Sequence, residues 1–166
     1  SINKILNMQD ISLNKTIKIF YNDNNNNKVE KLITINNNRK VFTDEDIDIT
    51  IIEIIPDSDG IKAQNFLQID EEIFKNNYND IYKEHDIYML LYPNSNTSSY
   101  YKGTLKNIGD KKIYFTCNED TISPGLPILS VPENKVIGIS QNNNEGVSIR
   151  IAFEKFNNIN RNLTRI

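Results

Sequence analysis

Tryptophan is absent from these 166 residues, alanine occurs twice, and cysteine and histidine occur once each. A single Cys117 excludes an internal disulfide and every all-cysteine zinc site, and a single His85 excludes a multi-histidine metal centre. Two alanines argue against a helical bundle, because alanine is the best helix former. A basic excess is also missing: 19 Lys and Arg stand against 22 Asp and Glu, a net charge of −3. Nothing is left over to neutralise a phosphate backbone, so no nucleic-acid partner is expected. The longest apolar run, Tyr88-Met89-Leu90-Leu91-Tyr92, falls far short of the roughly 20 residues of a membrane span. No membrane insertion is expected. Asp57-Ser58-Asp59-Gly60 has the look of a calcium loop, but its glycine comes too early and no glutamate follows at the required spacing. No metal and no cofactor are expected.

What is abundant is asparagine, 27 residues, and isoleucine, 28 residues. Isoleucine favours strands. Asparagine, isoleucine and lysine are also encoded by AT-rich codons, so their excess reports genome composition before function. The sequons at Asn14, Asn96 and Asn162 match the roughly three expected by chance from this much asparagine, and carry no message about secretion. With neither an initial methionine nor a signal peptide at Ser1, the sequence reads as a fragment or a processed chain.

Alternation marks Thr16 to Tyr21 and Lys28 to Ile35 as a hairpin around the asparagine-rich Asn22 to Asn27. Asp48 to Ile55 is apolar on both faces and predicts a central strand, ended by the turn at Pro56 to Gly60. Asp70 predicts the cap of a short helix to Asn77. Further strands are predicted at Ile87 to Tyr92, Tyr100 to Leu105, Lys112 to Cys117, Pro127 to Val131, Lys135 to Ile139 and Gly146 to Ala152. A terminal helix is predicted over Phe153 to Leu163. About nine strands with little helix predict an all-β antiparallel sandwich or barrel.

Three stretches together resemble the trypsin-like (chymotrypsin-fold) serine peptidases, in particular their short intracellular-type members. Asp46-Ile47-Asp48-Ile49-Thr50-Ile51-Ile52-Glu53-Ile54 resembles the strand that carries the catalytic aspartate, with Asp48 on that aspartate. Asp86-Ile87-Tyr88-Met89-Leu90-Leu91-Tyr92-Pro93-Asn94 resembles the opening of the second barrel. Asp120-Thr121-Ile122-Ser123-Pro124-Gly125-Leu126-Pro127-Ile128-Leu129, followed by Val136-Ile137-Gly138-Ile139, resembles the nucleophile loop and the strands after it. The resemblance implies a double antiparallel β-barrel. The first barrel spans about 1–61, a connecting segment about 62–86, the second barrel about 87–152 and a C-terminal helix about 153–163. It also implies an intracellular location, without naming the compartment.

A serine triad needs a hydroxyl nucleophile, an imidazole base, an orienting carboxylate and N–H donors for the oxyanion. With Pro127 on the family's final loop proline, Pro124 falls on the nucleophile, and proline has neither hydroxyl nor N–H. In another register Ser123 keeps a hydroxyl but loses the following glycine. Lys4 falls on the histidine, 44 residues before Asp48. Asp48 alone survives, and it is a candidate ion-pair partner for Lys4 or a solvated carboxylate at a strand start. His85 comes after Asp48 and reads as a surface-turn histidine, Cys117 as a buried structural thiol at a strand end.

The resemblance therefore implies a pseudoprotease. No catalytic residue is expected at Lys4, Asp48 or Pro124, and the work expected is protein binding or a structural part in a larger assembly. The alternative is an active serine peptidase fragment using Ser123 with a base supplied by a missing segment. Strands that the family has before the Lys4 position are not in this sequence; either an unseen segment or partner supplies them, or the first barrel is incomplete, with a free edge expected near Thr16 to Tyr21. Ile19 is expected to be one of that edge's outward donors. The asparagines at Asn142 to Asn144 read as a solvated excursion.

Overall fold

A computed structural model of the chain describes residues 15–23, 27–94, 97–120 and 122–163. The chain divides into two compact units, Ser1–Phe66 and Leu67–Ile166.

In the first unit, β1 (Thr16–Asn22) and β2 (Lys28–Thr34) form an antiparallel hairpin with Thr16 opposite Thr34 and Asn22 opposite Lys28. The predicted alternation is what builds it: Ile17, Ile19 and Tyr21 all pack against the buried cluster of Ile33, Ile35 and Ile61. Lys18, Phe20 and Leu32 lie on the exposed face. At the turn, the Asn27 N–H donates to Asp23 Oδ1 at 2.8 Å, and the Asp23 N–H donates to Asn27 O at 2.9 Å. The ladder's phase follows from that bond and from the Ile35 N–H on Lys15 O at 2.7 Å. Hydrogen-bonded pairs recur every second residue, so Ile17, Ile19 and Tyr21 exchange bonds with β2. Lys18 and Phe20 turn their N–H groups the other way. Ile19 is thus a ladder donor and not an edge donor, because its backbone faces the partner strand.

A second hairpin joins β3 (Val41–Asp44) to β4 (Ile49–Ile52), with Thr43 and Thr50 hydroxyls 3.3 Å apart across it. The predicted central strand is corrected here. β4 is only four residues long and pairs with β3 alone among the described residues. Asp48 lies before it, in a turn. A single helical turn, α1 (Pro56–Asp59), follows, with proline at its first position and Gly60 as a left-handed cap at φ 62°. Among the described residues, the four strands of this unit form two separate two-stranded sheets and no closed barrel.

The second unit is a closed six-stranded antiparallel barrel. Its strands are β5 (Asp86–Asn94), β6 (Thr97–Ile108), β7 (Lys112–Cys117), β8 (Pro127–Ser130), β9 (Val136–Ser140) and β10 (Glu145–Ser148). Two three-stranded meanders, β5-β6-β7 and β8-β9-β10, close on each other through β5 with β8 and β7 with β10. Ile87, Met89, Leu105, Ile113, Phe115, Ile128 and Ile137 are buried in one cluster within the unit. A six-stranded barrel is narrow enough for such side chains to fill it. β5 runs past Pro93, where a strand end was expected; its register with β6 shifts between Leu91 and Asn94, the kind of irregularity that tolerates proline.

Before the barrel, a 3-10 helix (Glu71–Phe74) and α2 (Tyr78–Tyr82) cover it with buried Ile73, Tyr78 and Tyr82. Asp70 caps the first as predicted, its side chain accepting the Glu72 N–H at 3.2 Å. The terminal helix α3 (Ile149–Leu163) begins four residues earlier than predicted, at the expense of the strand expected to reach Ala152. Ser148 accounts for the early start, its hydroxyl accepting the Arg150 N–H at 3.3 Å as an N-cap does. Arg150 then stacks over Tyr78, 4.8 Å from the ring centre, and pairs with Glu154 one turn on.

Candidate functional site

The loop that enters β8 is held from the β9–β10 side of the barrel. Ile122 is buried, whereas Ser123, Pro124 and Gly125 are exposed. Gly125 has φ 88°, which is why glycine stands there. Its N–H donates to Ser140 O at 2.7 Å, and the Leu126 N–H donates to Ser140 Oγ at 3.0 Å. The Ser140 hydroxyl donates in turn to Ser123 O at 3.1 Å. The Ile122 N–H donates to Asn143 Oδ1 at 2.8 Å, while Asn143 Nδ2 donates to Asp120 O. The asparagine run expected to be a solvated excursion is therefore a clamp at Asn143. An oxyanion site needs N–H groups that converge on open space. Here those of Ile122, Gly125 and Leu126 are committed, and Pro124 has none.

His85 is corrected from a surface residue to a half-buried one, its Nε2 enclosed and without a hydrogen-bond partner. The ring meets Tyr82 edge-on at 5.8 Å. The backbone pins it, because the Leu105 N–H donates to His85 O at 2.8 Å. His85 sits beside the end of β8, where the Val131 N–H donates to Asp86 O at 3.2 Å. Ser123 precedes the start of β8. The two residues belong to opposite ends of that strand, a separation of about 10 Å along it. His85 is out of reach as a base for Ser123.

Asp48, in the first unit, is exposed in a turn at φ 48°. A triad carboxylate is buried and orients an imidazole; this one faces water. Lys4, and with it the expected Lys4–Asp48 ion pair, lies outside the described residues. Cys117 ends β7 half-buried instead of buried, its thiol donating to Lys102 O at 3.2 Å. Among the described residues no group of three or more His, Cys, Asp or Glu is placed to hold a metal ion, and no helix is long and apolar enough to cross a membrane.

A feature absent from the sequence reading lies under the 3-10 helix. Asp70 is 2 % exposed, and its Oδ2 accepts the fully buried Ser130 hydroxyl at 2.8 Å. The Tyr82 hydroxyl is also buried, against the Asp70 carboxylate. Burial first, then the neighbouring Asp70 carboxylate, push the Tyr82 phenol well above its ordinary range. The sequence signal was incomplete: Asp70 carried a cap signature, and nothing local links it to Ser130, sixty residues on.

No protein-family model and no curated protein matches the chain.

Proposed function

We propose that the chain is a degenerate trypsin-like domain, a pseudoprotease that serves as a protein-binding or structural module in a larger assembly. Its first unit corresponds to an incomplete first barrel and its second unit to the second barrel. The closed antiparallel barrel supports this reading, being the architecture the resemblance implies for the stretch after Ile87. The observation that carries it is the β8 entry loop. Pro124 stands at the nucleophile position, and the Ile122 N–H that an oxyanion would need is bound to Asn143. A hydroxyl nucleophile and a donor pair are both missing from the position that requires them.

The opposing reading, a peptidase fragment acting through Ser123, draws on that residue's exposure. It requires a base from a missing segment, since His85 stands at the far end of β8. The two readings separate on a direct assay. The pure chain is expected to hydrolyse activated esters and amide substrates no faster than buffer. Turnover that Ser123→Ala abolishes would establish the peptidase.

Partner binding by strand addition falls to β1, whose outer edge pairs with no strand among the described residues. Lys18→Pro removes one outward donor and an exposed ion pair to Glu30, which is worth little. Edge strands accept proline. Measured by titration calorimetry on a partner copurified from the native source, affinity is expected to fall about fivefold, one hydrogen bond of about 1 kcal/mol. The circular dichroism spectrum should stay unchanged. Unaltered affinity with an unaltered spectrum would remove this edge from the interface.

A further inference from the structure

Among the described residues, the outer edge of β1 pairs with no strand. Along it Thr16, Lys18, Phe20 and Asn22 turn their N–H and C=O groups away from β2. The side chains of Ile17, Ile19 and Tyr21 pack toward the Ile33, Ile35 and Ile61 cluster. They stay half-buried, whereas Ile33 and Ile35 are fully buried. The apolar face of this sheet is thus open on its β1 side, where a further strand would cover it. Phe20, 52 % exposed, stands on the opposite face. A lone two-stranded sheet is marginal, and further strands stabilise it.

The edge's own sequence selects that strand. Thr16-Ile17-Lys18-Ile19-Phe20-Tyr21-Asn22 has no proline, no glycine and a single charge. An antiparallel copy related by a two-fold axis at Ile19 opposes outward residues with outward residues along the whole length. Ile19 then meets Ile19 and Ile17 meets Tyr21, which continues the apolar face. On the other face, Lys18 meets Phe20 of the second copy, with the Glu30 that pairs with that Phe20 lying just beyond. The cation therefore meets an aromatic ring and a carboxylate. The chain makes both kinds of contact within itself: Lys28 Nζ lies 4.9 Å from the Phe20 ring centre, and Lys18 pairs with Glu30 at 2.9 Å.

Other registers fit less well. An axis at Lys18 sets Lys18 against Lys18, like charges directly opposite. An axis at Phe20 leaves Thr16 and Ile17 without partners. The free side of β2 is also poorer. Its full-length axis opposes Lys31 with Lys31, and Arg39 Nε already occupies the Thr34 carbonyl.

We propose that β1 binds β1 of a second copy of this chain, antiparallel about a two-fold axis at Ile19, so that two hairpins become one four-stranded sheet. The proposal rests on the reading of β1 as the binding edge and names its partner. The same patch on both copies closes this contact at two. A seven-residue strand pair is small beside a standard interface of roughly 1,200–2,000 Å², so the dimer is expected to be weak and concentration-dependent.

Sedimentation equilibrium of the intact chain, from about 1 µM to about 1 mM, is expected to give a mass rising from 19.2 kDa toward twice that value. Phe20→Lys, an exposed change, sets lysine against Lys18 at both ends of the pair. It is expected to weaken association about tenfold with an unchanged circular dichroism spectrum. Cross-linking reads the register. In a Cys117→Ser background, Ile19→Cys places two thiols across a narrow pair with Cα atoms about 4.5 Å apart, within disulfide range. Ile17→Cys loses the same packing but faces Tyr21. Mild oxidation is expected to join Ile19→Cys chains at least tenfold faster. A chain that stays monomeric throughout, a dimer that Phe20→Lys leaves intact, or equal cross-linking of the two cysteine variants overturns the proposal. A monomer whose copurified partner is still weakened by Lys18→Pro loses the second copy but keeps β1 as the binding edge.

Discussion

Asp59→Ala is expected to destabilise the first unit by about 1–3 kcal/mol, the cost of leaving a half-buried charge without its hydrogen-bond partner. The Arg39 guanidinium meets the Asp59 carboxylate through two parallel bonds of 2.8 and 2.7 Å, with the two side chains only 8 % and 5 % exposed. The same guanidinium donates to Thr34 O at 2.9 Å and to Glu53 O at 2.7 Å, while Asp59 Oδ2 accepts the Ile55 N–H at 2.7 Å. One ion pair thus ties the end of β2, the exit of β4 and α1 together. Without Asp59, the guanidinium remains among carbonyls with only the Glu53 carboxylate near it as countercharge. Urea unfolding followed by circular dichroism measures the loss, and a change under about 0.5 kcal/mol, the size expected for an ordinary surface substitution, would contradict this role.

The pair also sets an acid limit. The Arg39 hydrogen bonds hold the Asp59 carboxyl below its usual range. A depressed folded-state value stabilises the fold above the unfolded carboxylate value of about 3.9, and that contribution fades as pH falls through the lower folded value. The first unit is therefore expected to lose stability below about pH 4. In Asp59→Ala, this share of the acid dependence should be gone.

Gly138→Ala is the second large effect, expected to cost the barrel about 1–3 kcal/mol or more. A Cβ at this position would lie 2.3 Å from Ile113 Cδ1 and 2.6 Å from the Val147 carbonyl oxygen. The isoleucine tip can swing aside. The carbonyl cannot, because it belongs to β10, whose Ser148 pairs with Gly138 itself. Relief would require β9 and β10 to part inside the β8-β9-β10 meander. Gly109→Ala is the control: its added Cβ would come no nearer than 3.5 Å to Lys112 O, an ordinary contact. Denaturant midpoints that fall equally for both variants would contradict the described packing of β9 against β10.

The hairpin of β1 and β2, the Asp70 cap and the barrel strands were legible because each is written locally, in alternation or in a cap residue. β3 was not legible. Its four residues run into the acidic stretch Asp44 to Asp48, which hides any alternation. The early start of α3 was missed because Ser148 closes a strand and caps a helix at once. In the β8 entry loop, what could be read locally was that Pro124 lacks both a side-chain hydroxyl and an N–H. What closes the loop came from elsewhere, in the Asn143 amide and the Ser140 hydroxyl, polar groups whose sequence context says loop or strand. The Asp70–Ser130 bond was invisible for the same reason, because the two meet only after β8 has folded against the connecting segment.

The claim that this fold has kept its barrel and given up catalysis rests on the loop from Ile122 to Leu126. Incubation of the intact chain with a fluorophosphonate, read by intact mass and peptide mapping, addresses that loop directly. An activated serine oxygen attacks phosphorus and expels fluoride, leaving a stable adduct; an unactivated hydroxyl does not react. The account predicts no adduct at any residue. A single adduct on Ser123, lost when the chain is denatured before labelling, would contradict it.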